Sequence, residues 1–507
     1  MTHTILTATS FGTSAKIIEV EASFTNALPQ FNITGLAHSS IQESKHRVLS
    51  ALANSEIVLP TAKKININLS PSDLPKSGGH FDLPIALALQ KNTEEEQEWF
   101  AFGELGLDGS IKYLDSIYPL LLDIALLYPQ ARVIVPSSAK ALLSPIPNLI
   151  FYFVGHLKEA IEIINNPPPL DISPRTESSL GFKSLEIAGE RYFYDDDFRD
   201  DFREVKGQNI AKRAALIAAA GFHNFIMEGS PGCGKSMIAK RILYILPPSS
   251  LQEMIENVKH QALNKQNTHY TPLRPFRNPH QSASKSSILG SATQFEVKPG
   301  EVALAHNGIL FFDELPHFKR DILESLREPL ENNKLVISRV HSKLEYDTNF
   351  MFIAALNPCP CGNLFSKSKE CRCQDREIST YRARLSEPLL DRIDIFVKMT
   401  EYEEGSDKEV AGLDSQSMQK MVFLAFERQK ARGQRVLNGK LDEKDIATFC
   451  VLNDECLGLL AQATQRFALS YRAQNKIKKV ARTIADLENK EDIGKTHILE
   501  ALSYRRI

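Results

Sequence analysis

Eight consecutive residues, Gly229-Ser230-Pro231-Gly232-Cys233-Gly234-Lys235-Ser236, have the types and spacing needed to hold a nucleoside triphosphate. They follow the pattern G-x-x-x-x-G-K-[ST]. Its glycines let backbone N–H groups close around phosphate oxygens, and a helix that follows adds its positive N-terminal end. Lys235 can reach the β- and γ-phosphates, and Ser236 can ligate Mg²⁺. Three glycines also suit an ordinary turn. The setting distinguishes the two readings: an apolar, strand-like run, Phe225-Ile226-Met227, enters the loop, and a helical pattern from Met237 to Leu246 leaves it.

Further chemistry lies downstream. Gly308-Ile309-Leu310-Phe311-Phe312-Asp313-Glu314-Leu315 reads as a buried parallel strand with two acids at its carboxyl end, the edge at which such sheets bind ligands. Asp313 is expected to hold Mg²⁺ through water, and Glu314 to orient and polarise the attacking water. The next strand, Phe350 to Leu356, ends in Asn357, which either positions that water or caps a helix or turn. Arg392, in Leu389-Leu390-Asp391-Arg392-Ile393-Asp394, is either an arginine finger for a neighbouring subunit's ATP or a local partner of its flanking acids. Arg472 opens a basic helix that runs through Arg482. It either reaches the γ-phosphate from a lid or lies on a solvated face. Gln208 precedes the alanine-rich helix Asn209 to Ala220, as a contact to the nucleotide base or as a helix cap.

Cys359-Pro360-Cys361 and Cys371-Arg372-Cys373 are two C-x-C pairs. Four thiolates there could enclose Zn²⁺ tetrahedrally and pin a loop beside Asn357. C-x-C is tighter than the common C-x₂₋₄-C spacing, so free reduced thiols remain the alternative. Cys233 reads as a small loop residue, and Cys450 and Cys456 as core. The stretch Lys334 to Lys343, with Arg339 and His341 between, alternates like a β-hairpin with a basic tip, directed at DNA or simply solvated. Lys259, Lys265, Arg274, Arg277 and Lys285 add positive charge between the phosphate loop and Asp313.

These groups need scaffolding of a definite kind. A chain of 507 residues suggests about two to four domains, each large enough to bury a core. The composition, 43% hydrophobic and 24% charged, is that of a globular protein. No apolar run approaches the ~18 residues of a membrane span; the most apolar stretch, Leu120 to Leu127, is interrupted by Asp123. Met1 to Gly12 has neither a basic n-region nor a long apolar core, so a cytoplasmic location is expected. The net charge of −2 excludes a polyanion binder acting through bulk charge, so any DNA contact must come from local patches or from a channel made by assembly. The seven cysteines do not suggest a disulfide framework.

Residues 1–165 alternate strand and helix signals: strands at Ala15 to Val20, Ile65 to Leu69 and Arg132 to Pro136, and a helix at Ile41 to Asn54 with Ser40 and Glu43 spaced as a capping box. Phe81-Asp82-Leu83-Pro84 opens a second helix, with proline tolerated in its first turn. The expected fold there is α/β or α+β. A connector follows over residues 166–200, with a proline run from Pro167 to Pro169 and acids at Asp195 to Asp197 and at Asp200, next to Asp201. The α/β pattern resumes over residues 201–402, and residues 403–507 are helical by periodicity.

Several motifs carry family resemblances. Phe31-Asn32-Ile33-Thr34-Gly35-Leu36, Asn66-Ile67-Asn68-Leu69-Ser70-Pro71, Leu74-Pro75-Lys76-Ser77-Gly78-Gly79 and Gly103-Glu104-Leu105-Gly106-Leu107-Asp108-Gly109 resemble the Lon-protease-type domain, a ribosomal S5 domain 2-like fold. That family's serine–lysine dyad falls on His80 and Tyr118, which supply neither an alcohol nucleophile nor an amine base, so peptidase chemistry is not expected. The phosphate loop, Asp313-Glu314, Asn357, Arg392 and Arg472 occur in the order of an AAA+ ATPase with a helical lid. Arg274-Pro275-Phe276-Arg277-Asn278-Pro279-His280-Gln281-Ser282-Ala283-Ser284, the run from Pro299 to Gly308, and Asn357-Pro358-Cys359-Pro360-Cys361-Gly362 narrow it to the magnesium-chelatase-like ComM/YifB family. Gln281 departs from that family's usual second histidine. The resemblance implies a hexameric ring that uses ATP and Mg²⁺ to drive branch migration on single-stranded or branched DNA in natural transformation. Its rivals are a chelatase motor for metal insertion and an ATP-regulated assembly scaffold.

Overall fold

The computed structural model describes residues 3–60, 63–92, 98–168, 180–292, 297–338, 343–366, 368–401 and 413–505. The chain folds as two units, Met1–Gly181 and Phe182–Ile507.

In the first unit the strands are β1 (His3–Phe11), β2 (Ser14–Thr25), β3 (Phe31–Thr34), β4 (Lys64–Ser70), β5 (Trp99–Ala101), β6 (Glu104–Leu105), β7 (Ile111–Lys112), β8 (Ala131–Pro136) and β9 (Leu149–Val154). Seven of them form one mixed sheet in the order β3-β4-β2-β1-β5-β8-β9, and β6 pairs with β7 separately. β1, β2 and β4 are antiparallel neighbours, while β1, β5, β8 and β9 run parallel. The helix Asp82–Ala88 is buried at every position and packs into the core with Ile5, Val20 and Trp99. Pro84 sits in its first turn, where no intrahelical N–H is needed.

The helix expected at Ile41 begins two residues earlier, spanning Ser39–Asn54 with His38 as N-cap and no side-chain cap. The capping box therefore does not form. Ser40 lies inside the helix, where its Oγ accepts a hydrogen bond from Gly78 N (3.3 Å), and Glu43 faces Arg47 instead. His80 and Tyr118 are both buried. Burial pushes the His80 imidazole down to about 4, and its Nε2 donates to the Ala8 carbonyl at 3.0 Å.

In the second unit the strands are β10 (Lys183–Ile187), β11 (Glu190–Tyr194), β12 (Phe225–Gly229), β13 (Ser249–Ser250), β14 (Phe276–Arg277), β15 (Gly290–Ala292), β16 (Val297–Pro299), β17 (Ile309–Phe312), β18 (Lys334–Ser338), β19 (Lys343–Asp347), β20 (Met351–Leu356) and β21 (Ile395–Met399). The expected connector is, over residues 183–194, an antiparallel hairpin whose second strand also pairs with β13. Its strands are too short and too polar to show a period, but Tyr192 and Phe193 are buried and Tyr192 meets the Phe426 ring edge-on.

The central sheet has the order β14-β17-β20-β12-β21, and all its pairings are parallel. Every residue of β17 and β20 is buried, as both-sided cover of a parallel sheet requires. Side chains alternate between its faces. Phe225, Met227, Phe311 and Ile353 join one core with the alanine-rich helix Asn209–Gly221 and the C-terminal helices. Ile226, Leu310, Phe312 and Phe352 join another with Ile322, Leu326 and Leu389. Short side chains at Ala214, Ala215, Ala218 and Ala219 let the helices Ser415–Ala431 and Tyr471–Leu487 pack closely on Asn209–Gly221, through Met418, Val422, Ile477 and Ile484.

Candidate functional site

β12 delivers the chain to the phosphate loop, and the helix Lys235–Ile242 leaves it with Gly234 as N-cap at φ 95°. Gly232 has φ 81°, so both glycines occupy backbone that L side chains rarely adopt. A Cβ on Gly229 would lie 2.7 Å from both the Met399 carbonyl oxygen and Cys233 Sγ, so β12 approaches β21 only without one. The buried Lys235 ammonium donates to the carbonyls of Gly229 (2.6 Å) and Ser230 (2.9 Å) and to Asn357 Oδ1 (3.2 Å). Asn357, at the carboxyl end of the adjacent β20, thus meets the loop's lysine. Ser230, Pro231 and Cys233 complete the turn, with Cys233 N donating to Ser230 O at 3.3 Å.

Ser236 Oγ donates to Asp313 Oδ2 at 2.8 Å, bringing together two residues 77 positions apart. A hydroxyl and a carboxylate side by side at the phosphate end of a helix are a donor set that suits Mg²⁺, which keeps several waters and shares the rest of its shell with phosphates. Asp313 Oδ1 accepts the Glu314 N–H at 3.0 Å, and Glu314 itself has φ 52°. Its half-exposed carboxylate lies 3.2 Å from His317 Nδ1, a neighbour that sequence reading missed because a histidine three residues past an acid has no signature of its own. Gln208 is the backbone N-cap of the alanine-rich helix, but its side chain does no capping. Nε2 donates to Cys233 O (3.3 Å) and Thr400 O (2.6 Å), tying the phosphate loop to the end of β21.

Arg392 and Arg472 come together on a different carboxylate, Glu331, which pairs with both guanidinium groups. The local partners that the alternative reading gives Arg392, Asp391 and Asp394, are not the ones it takes. It donates to Arg327 O (3.1 Å) and Pro388 O as well as to Glu331. Asp394 is buried elsewhere, accepting Asn224 N at 3.0 Å with Lys476 Nζ at 3.8 Å and His223 Nδ1 at 3.7 Å. Burial alone would raise the Asp394 carboxyl; Lys476, His223 and Lys479 hold it well below the carboxylate range. Burial also pushes Lys476 down to about 8. Asn224 links this cluster to the sheet, donating to Arg392 O and accepting from Phe352 N, each at 3.0 Å. The cleft around Glu331, Arg392, Arg472 and Lys479 has a volume of 430 Å³.

The four loop cysteines converge. Cys359, Cys361 and Cys371 have Sγ atoms 3.5–3.7 Å apart, and all four ligand atoms, Cys373 included, lie within 4.8 Å of one another. Zn–S bonds of about 2.3 Å in a tetrahedron place sulfur atoms about 3.8 Å apart, so the set fits a tetrahedral thiolate-binding metal. The N–H groups of Asn363 and Arg372 hold the Cys361 thiol down at about 6. Cys233, Cys450 and Cys456 are buried apart from this set.

The basic candidates fare differently. Lys334 lies at the start of β18 and pairs with Glu345 across the hairpin. Arg339, His341 and the side chain of Lys343 lie outside the described residues. Arg274 is buried, bound to Glu253 and to three backbone carbonyls, so it is structural and not part of an open basic surface. Arg277 pairs with Glu301 at 2.6 Å.

Sequence comparison extends this picture along the chain. The family model described as magnesium chelatase, subunit ChlI, matches residues 201–406; models of subunit ChlI of Mg-chelatase and of its C-terminal part match residues 20–139 and 412–505. The competence protein ComM of Haemophilus influenzae is 35% identical over 98% of this chain and 96% of its own length. YifB proteins of Salmonella typhimurium and Escherichia coli are each 35% identical over 99% of this chain and 96% of theirs.

Proposed function

This chain belongs to the ComM/YifB-like magnesium-chelatase family of AAA+ ATPases, and from that premise we propose that it is a hexameric, ATP-hydrolysing ring motor that moves DNA strands. The observation that carries the motor reading is the meeting of Lys235, Ser236, Asp313 and Asn357 at the carboxyl ends of three adjacent parallel strands. The DNA reading rests on full-length similarity to a competence protein.

In this reading the loop's N–H groups and Lys235 bind the triphosphate, with the ammonium exchanging its carbonyl partners for phosphate oxygens. Ser236 and Asp313 would hold Mg²⁺, which when bound would neutralise charge on the phosphates. Glu314 accepts the proton of the attacking water, and Asn357 orients that water. Gln208 fixes the loop against β21. Arg392, released from Glu331, completes the site of a neighbouring subunit, and Arg472 follows the same phosphate from the C-terminal helices. Zn²⁺ is the metal we assign to Cys359, Cys361, Cys371 and Cys373.

The stretch from Lys334 to Lys343, repeated around a ring, would focus positive potential in a channel that the near-neutral single chain lacks. The N-terminal unit is read as a Lon-type fold without peptidase chemistry, since His80 is neutral and tied to backbone and Tyr118 is core. Among the described residues no helix is long and apolar enough to cross a membrane.

The test is a labelled three-strand junction incubated with protein, Mg²⁺ and ATP. ATP-dependent release of the displaced strand is expected, with none from ADP. Brisk ATP turnover with no strand movement on any junction would reject the DNA reading and favour a motor for another substrate, such as metal insertion.

A further inference from the structure

We propose that the four-cysteine centre sets the position of the phosphate loop, so that nucleotide affinity depends on the bound metal. This rests on the Zn²⁺ assignment above and goes beyond it, from a metal that closes a surface loop to one that controls the ATP site.

Two short paths connect the centre to the loop. The first runs through Gly362, the residue after the ligand Cys361. Its backbone lies so close to Pro231 that a Cβ there would stand 2.6 Å from Pro231 Cδ and 2.7 Å from Cγ. Gly362 has φ 79°, and its N–H closes a tight turn on the Cys359 carbonyl at 3.0 Å. Only glycine lets the cysteine loop lie flat against the proline ring. The second path runs through Asn357, which lies two residues before the fully buried Cys359; the Asn357 Oδ1 accepts from Lys235 at 3.2 Å. The metal-bound turn would thus press on Pro231 on one side and hold the partner of Lys235 on the other.

Among the described residues of this loop, apolar packing is sparse. Between Cys361 and Cys371 its apolar residues are Leu364 and Phe365, and both are only partly buried. Its described residues touch the rest of the unit through the Lys398 ammonium, 5.7 Å from the Phe365 ring, and a Ser368–Glu401 hydrogen bond of 3.0 Å. A closed four-thiolate centre would supply the constraint that packing does not. Four thiolate ligands would leave a tetrahedral metal no open position, so its role would be mechanical and not catalytic.

The test measures binding of a fluorescent ATP analogue, without turnover, on the full-length protein purified in reductant. Nucleotide affinity and zinc content are followed in the wild type, after a strong zinc chelator, and after zinc is restored. A chelator is used instead of a thiol reagent because Cys233 lies in the phosphate loop. Two variants accompany it: Cys371→Ser with Cys373→Ser, which loses the metal, and Gly362→Ala, which keeps all four cysteines. Stripping should weaken binding at least about tenfold and zinc should restore it. Gly362→Ala should retain zinc and still lose affinity, because the added Cβ displaces Pro231.

Zinc removed with affinity unchanged overturns the coupling and leaves the metal assignment standing. Absence of zinc from the purified protein, with none taken up on titration, overturns the assignment itself. Affinity that falls and does not return with zinc also overturns the coupling, since the loss then lies in general unfolding.

Discussion

The Glu314→Gln protein is expected to bind ATP as the wild type does and to hydrolyse it about 10²–10⁴-fold more slowly. The binding groups are untouched by the change: Lys235 stays on the loop, and Ser236 stays with Asp313 at 2.8 Å. Glutamine keeps the shape of glutamate and can still face His317, but its amide cannot take a proton from water. The loss therefore falls on the chemical step and not on substrate affinity. Equilibrium binding of a nucleotide analogue beside steady-state phosphate release separates the two. Turnover close to wild type would remove Glu314 from the catalytic role.

The second large effect concerns assembly. Arg392→Ala subunits should bind ATP through their own phosphate loops yet fail to hydrolyse it, because charge developing at the γ-phosphate would lack its partner from the next subunit. In the single chain Arg392 is held by Glu331, beside Arg472 and apart from the contacts of Lys235. Mixing two inactive proteins, Arg392→Ala and Lys235→Ala, decides between the readings. Mixed rings contain interfaces with an intact loop from one subunit and an intact arginine from the other, so activity should return. If the arginine serves its own subunit, no site in any mixture is whole and no activity returns. Fluorescence transfer between labelled subunits confirms that they exchange. With exchange established, absent recovery would assign Arg392 to its ion pair with Glu331.

The grouping of residues at the proposed nucleotide site was legible because it is written in short, local patterns. The glycines and lysine of residues 229–236 and the acids at the end of β17 form patterns that can be read without knowledge of the fold, and Ser236 does meet Asp313. The strand order was not legible. Nothing local says that β20 lies between β12 and β17, and that insertion is what brings Asn357 to Lys235. Long-range pairing also decided contacts that local sequence does not show. Arg392 passes over its adjacent acids for Glu331, 61 residues away, because Asp394 is already committed to Asn224 and Lys476. Arg274 looked like open positive charge but is consumed by Glu253 and backbone carbonyls. Ser40 looked like a helix cap because the three-residue spacing to Glu43 is all that a sequence displays; the helix starts before it.

The central claim, that ATP hydrolysis here is coupled to DNA, is tested most directly by the steady-state ATPase rate with and without single-stranded, duplex and branched DNA. A DNA motor should turn over faster when single-stranded or branched DNA is added, and the stimulation should fade as salt rises, because phosphate contacts release counterions. An ATPase rate that is the same with every DNA as without it, at low salt and under conditions where the subunits assemble, would contradict the claim.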